Sequence, residues 1–218
     1  MDLITLSESN KIFSLIIKGG IIVIPIFLLS IVAFYIFLER FLFLRRSNIL
    51  MSEDKMLLVK NKIEKNELDS IEEVFNLSDE IFRNVLLSGI REYKRKNSTS
   101  LEVENAIIFS LKKESQKLDK GLDTISNIYN LAPMVGFLGT VIGMINAFMA
   151  IASSKESIIS VKIMASGIYE SLITTVAGLV VSIATSIMHN FLAAKIKKLE
   201  NEMEIYANSF ITFLKKNK

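Results

Sequence analysis

The stretch Gly167–Asn190, GIYESLITTVAGLVVSIATSIMHN, limits the folds open to this chain more than any other. From Ser171 to Met188 it carries no charge, which is about the 18 residues that mark a membrane-crossing helix. It is not uniformly apolar. On a helical wheel at about 100° per residue, Glu170, Ser171, Thr174, Thr175, Gly178, Ser182, Thr185, Ser186 and His189 fall within an arc of roughly 160°. Leu172, Ile173, Val176, Leu179, Val180, Ile183 and Ile187 take the opposite side. A hydroxyl in lipid lacks a hydrogen-bond partner, so the polar arc must face protein or water.

Two readings of that face stand open. Ser, Thr and Gly are common where membrane helices pack closely, and packing alone accounts for the hydroxyls. Glu170 adds a second reading, because an acid on a membrane helix is costly and marks an ion or proton path by default.

The rest of the composition narrows the field. The chain has 218 residues, half of them apolar, and few glycines or prolines, as expected of a helical membrane protein with one modest soluble portion. A net charge of +3 with interleaved acids and bases gives no reason to expect nucleic acid. There is no cysteine, and a single histidine with no acidic cluster at ligand spacing points to no metal and no cofactor. No nucleotide loop, dinucleotide fingerprint or catalytic triad is present, so no enzyme activity is expected.

Along the chain, residues 1–18 form a short external lead with Asp2, Glu8, Lys11 and Lys18. The apolar run after it starts late and lacks a small-residue cleavage site, so it reads as a span rather than a signal peptide. Residues 19–44 are the first membrane helix, with Pro25 as a tolerated kink near its outer end. Glu39 there is expected to pair with Arg40 or Arg45. Residues 45–126 read as a helical cytoplasmic domain. Ile81, Phe82, Val85, Leu86, Leu87 and Ile90 make one amphipathic stripe, and Leu101–Leu122 makes a second helix. Between them KRKNSTS is a turn in which Ser98 or Ser100 caps the later helix, with Glu102 and Glu104 in its first turn. So few residues cannot close a core alone; neighbouring copies or extensions of the membrane helices must complete it.

Residues 127–152 are the second membrane helix. Gly136, Gly139, Gly143 and Ala147 line one side of it with Thr140 beside them, a small-residue spacing that brings backbones together. Residues 153–162 make an external polar hairpin, 163–194 the third membrane helix, and 195–218 a charged cytoplasmic helix with Leu199, Met203, Tyr206 and Phe210 in register. Arg45, Arg46, Lys117, Lys120, Lys195, Lys197 and Lys198 cluster on one side of the bilayer, which makes the large loop and C-terminus cytoplasmic and the N-terminus external.

With these residues in view, the chain resembles the ExbB/TolQ branch of the MotA/TolQ/ExbB proton-channel family. The carrying segments are LAPMVGFLGTVIGMINAF at Leu131–Phe148, GIYESLITTVAGL from Gly167, and FLERFLFLRR closing the first span. The resemblance implies that Thr140, Glu170 and Thr175 line a proton path, with Thr174 beside them, and that Gly136, Gly139, Gly143, Ala147 and Gly178 pack helices. It also implies a homopentameric ring in a bacterial inner membrane around an ExbD/TolR-like one-span partner, passing work to a TonB/TolA-like transducer. Two positions depart from the family pattern. Ala184 stands where proline is usual in Ser182-Ile183-Ala184-Thr185, and His189 where tyrosine is usual.

The expected fold class is therefore all-α: three transmembrane helices with a helical cytoplasmic domain. The expected function is a proton-channel subunit of a membrane motor. A non-conducting scaffold for partner helices is the competing reading, and a flagellar-stator-like subunit ranks below it because those typically have four spans.

Overall fold

The computed structural model describes residues 20–46, 53–65, 67, 70–71, 74, 80–95, 97–153 and 157–216. The external lead 1–18 and the hairpin lysine at 155 lie outside them. Among the described residues six α-helices follow in order: α1 (Val23–Arg46), α2 (Glu53–Glu64), α3 (Glu80–Tyr93), α4 (Ser100–Asp119), α5 (Leu122–Ser153) and α6 (Ser157–Lys216). The described residues contain no strand. Three helical stretches are long and apolar enough to cross a membrane, within Val23–Arg45, Ser100–Ser153 and Met164–Lys216. The chain is thus all-α with three candidate spans.

The chain divides into two compact units. The first takes described residues 20–38, the turn before α1 and most of α1, together with described residues of Leu122–Asn190. Its outer surface is apolar: Phe27, Tyr35, Phe137, Phe148, Val180 and Ile187 are all exposed. In water such a surface would be a large liability; in lipid it needs no partner. Pro25 falls in the first turn of α1, where its missing N–H has no helical carbonyl to serve, so the expected kink is not required. Pro133 lies inside α5 and is the proline that removes a helical donor.

The second unit comprises described residues of Glu39–Gly121 and the chain from Phe191 onward. The stripe expected on α3 is its centre: Ile81, Phe82, Val85, Leu86, Leu87 and Ile90 are buried. Each such side chain contributes about 1.5–3 kcal/mol when fully buried. Val103, Ile107 and Leu118 of α4 meet them, and Gly89 lets Ile107 approach to 2.5 Å of where a β-carbon would stand. The core closes on α6, where Leu192, Ile196, Leu199, Met203, Phe210 and Leu214 recur at steps of three and four residues and are all buried. Tyr206 meets Phe82 edge-on at 5.7 Å. Extensions of the spanning helices complete this core, as the short soluble stretch demands.

Polar contacts fix the register of the second unit. Arg40 is buried, donating to the Lys117 carbonyl at 3.4 Å, and stands 3.6 Å from Glu39, so the expected Glu39 pair forms with its neighbour. Glu114 is buried and accepts from Asn84 at 3.2 Å and Lys117 at 2.7 Å. Lys215 bridges to Glu104 at 2.8 Å, tying the end of α6 to α4.

Three boundaries differ from the sequence reading. Thr99, not Ser98 or Ser100, caps α4, and Glu102 returns the bond to complete a capping box. Gly121, with φ of 87°, ends the α4 rise before α5 begins at Leu122. The third span and the C-terminal helix are one helix of 60 residues, and it already includes residues 157–162 of the expected hairpin. The charge change at Lys195 suggests a boundary, yet FLAAKIKK holds no glycine or proline to end a helix.

Candidate functional site at the α5–α6 crossing

The site arises from a match of small residues on two antiparallel helices. On α5 they stand at Gly136, Gly139, Gly143 and Ala147; on α6 at Gly178, Thr174, Ser171 and Gly167. A β-carbon on Gly178 would lie 2.5 Å from the Ala132 carbonyl and 3.1 Å from the Gly136 Cα. One on Gly139 would lie 2.5 Å from Thr174 Oγ1, one on Gly143 would meet Ser171 Oγ, and one on Gly167 would lie 2.6 Å from the Ala147 Cβ. Each step up one helix matches a step down the other. The small residues thus meet along a seam within one chain.

The seam decides what each hydroxyl does. Ser171 is 1% exposed and donates to the Gly167 carbonyl at 2.7 Å. Thr174 is 2% exposed and donates to the Ser171 carbonyl at 2.7 Å. Such back-bonding satisfies a hydroxyl where no other partner exists. Thr174 is thus enclosed against Gly139 within the single subunit, because the four-residue step from Glu170 turns it into α5. Ser182 donates to the Tyr129 carbonyl at 2.6 Å, a link that spacing alone did not single out.

Thr140 and Thr175 behave differently. Both are half-buried, at the edge of the seam, with hydroxyls 3.2 Å apart. Thr140 also reaches the Phe137 carbonyl at 2.6 Å, and Thr175 reaches the Gly136 carbonyl at 3.2 Å. Theirs is a hydroxyl pair shared between two helices, which the sequence named separately and the fold brings together.

Glu170 lies one helical turn before Thr174 and is exposed within the single subunit. Its carboxylate approaches the backbone of Gly20, where the chain enters α1 with φ of 69°. No pattern in the sequence links these two residues; only the fold does. Toward the other end of the polar face, the His189 ring packs edge-on to Tyr129 at 5.5 Å, and its Nδ1 is 3.4 Å from the Asn190 side-chain oxygen. Among the described residues no group of three or more acidic or histidine side chains is placed to hold a metal.

Three apolar spans, two of them joined along a seam of small and hydroxylated residues with an acid at one end, define a multi-span membrane protein with a polar interior face. The chain belongs to the MotA/TolQ/ExbB proton channel family, whose model matches residues 77–205, more than half of it. It is similar to the biopolymer transport protein ExbB homolog of Methanothermobacter thermautotrophicus, 28% identical over 189 residues that cover 86% of this chain and 65% of that relative. The TolQ protein of the Tol-Pal system of Haemophilus influenzae is 26% identical over 134 residues, 58% of each chain. The biopolymer transport protein ExbB of Aquifex aeolicus is 36% identical over 114 residues, 52% of this chain and 72% of its own. The chain spans less than two thirds of the length of the first two relatives.

Proposed function

We infer that this chain is a channel-forming subunit of a proton-driven membrane motor of the ExbB/TolQ type. The observation that carries the reading is the Thr140–Thr175 pair at the edge of the α5–α6 seam, with Glu170 nearer the start of α6. Hydroxyls of this kind orient water and accept passing hydrogen bonds, but they cannot hold a charge. The spanning helices offer Glu170 as their acid on the polar face, so the titrating relay deeper in the membrane belongs to a partner. That partner is a one-span protein of the ExbD/TolR type, encircled by several copies of this subunit, five if the ring follows the resemblance. Each proton that crosses yields about 2.3 kcal/mol per 100 mV, and a TonB/TolA-like transducer receives the work.

The setting is a bacterial inner membrane, with the N-terminus periplasmic and the C-terminus cytoplasmic. Reporters fused after Lys96 and Lys218 are expected to read cytoplasmic, and one at Lys155 external; a cytoplasmic signal at Lys155 overturns this topology. Proton flux is measured in vesicles holding the subunit with a one-span protein of the ExbD/TolR type. Glu170→Gln and Thr175→Val should each slow it while the oligomer survives. Unchanged flux in a Glu170→Ala, Thr140→Val, Thr175→Val variant reduces the seam to packing and leaves a scaffold.

A further inference from the structure

Gly20 precedes α1 by three residues and belongs to no helix, yet two independent features restrict it to glycine. Its φ of 69° is left-handed, a backbone conformation that strains any residue with a β-carbon. A β-carbon there would also fall on the Oε1 of Glu170, with the Glu170 carboxyl carbon at 3.2 Å and Cγ at 3.7 Å. The same turn holds Ile22 against α5, its Cγ2 3.2 Å from where a β-carbon on Gly139 would stand. The turn closes on itself, with the Val23 N–H donating to the Gly20 carbonyl at 3.3 Å and the Ile24 N–H to the Ile21 carbonyl at 3.3 Å. The opening turn of α1 thus rests on both helices of the seam, and the Glu170 carboxylate occupies the space a side chain at residue 20 would take.

We propose that Gly20 is a positioning residue for Glu170: the side-chain-free turn at the start of α1 is the seat of the carboxylate. This deepens the proton-path reading and rests on it. The acid, carried by α6, meets protons from a seat formed by the turn that opens α1, so the start of the first span sets where it points. A start-of-helix location suits a carboxylate electrostatically, since the first turn of a helix carries partial positive charge.

The test begins with geometry, which requires no flux. The chain has no native cysteine, so Gly20→Cys with Glu170→Cys introduces the sole thiol pair, and the shorter Cys at 170 vacates the space that glutamate filled. Oxidation of the assembled protein in membranes should close a disulfide within one chain, while Gly20→Cys with Leu172→Cys should not. A missing cross-link, or one formed only between chains, overturns the seat.

Flux then tests its role. Gly20→Ala should slow proton flux at least about fivefold with the oligomer intact. Adding Glu170→Asp, which draws the carboxylate back by one methylene, should recover flux relative to Gly20→Ala alone. Backbone strain by itself predicts no such recovery, so a double variant no faster than Gly20→Ala overturns the proposal, as does unchanged flux in Gly20→Ala. Unchanged flux in Glu170→Gln would instead overturn the proton path, which the cross-link does not depend on.

Discussion

At the scale of single residues, the fold separates two threonines that the sequence places side by side. Thr174 is sealed in the seam with its hydroxyl returned to its own helix, whereas Thr175 shares a hydrogen bond with Thr140 across the crossing. Replacement by valine keeps the shape and removes the hydroxyl, so the consequences should differ. Thr175→Val removes an interhelical bond of about 0.6 kcal/mol, and up to about 1.7, as measured in membrane proteins. It should lower proton flux more than Thr174→Val does, with flux in vesicles as the measurement. Thr99 offers a control far from that chemistry. Thr99→Ala removes the hydroxyl that receives the Glu102 N–H, and should lower the stability of the second unit by about 1 kcal/mol in denaturant titration without altering flux.

At the scale of elements, the α5–α6 seam holds more information than any single residue in it. Gly136→Ala would place a β-carbon 3.0 Å from the Thr174 carbonyl and 3.2 Å from the Thr175 Cα, both backbone atoms that cannot swing away. The cost should be about 1–3 kcal/mol of helix-pair stability. It should appear as a lower melting temperature of the subunit itself, before any loss of subunit association. Gly139→Leu should fail to fold, since even the Thr174 side chain leaves no space for it. This is also where the sequence was most legible. Small residues at 136, 139, 143 and 147 announce a close crossing, and their counterparts at 167, 171, 174 and 178 also recur at steps of three and four. What spacing could not supply is the identity of the partner helix, because a small-residue face fits another copy as well as its own neighbour. Helix ends were misread at Gly121, where the apolar pattern runs on to Leu122 although the backbone turns left-handed, and at Lys195, where only the charge changes and helix propensity does not. The Gly20–Glu170 juxtaposition was not legible at all, since the two stand 150 positions apart and no periodic signal pairs them.

At the scale of the whole molecule, family membership and three candidate spans place the chain among multi-span membrane proteins, and the second unit raises a question of assembly. Its hydrophobic centre is stitched from stretches far apart in the chain: Phe82 and Ile90 of α3, Val103 and Ile107 of α4, and Met203, Phe210 and Leu214 of α6. During synthesis the α3–α4 pair emerges long before its third wall exists, since α5 and most of α6 must be made first. Contacts so distant in sequence close slowly and leave apolar surface open meanwhile. A chain stopped after Asn190 should therefore leave the second unit open to protease between Glu80 and Asp119, while the full chain resists under the same conditions. Equal resistance would mean that α3 and α4 need no third wall. The consequence is one of timing: the core of the second unit closes only once Leu192–Leu214 of α6 has been made, so a chain halted before that point should carry an unfinished core open to proteases.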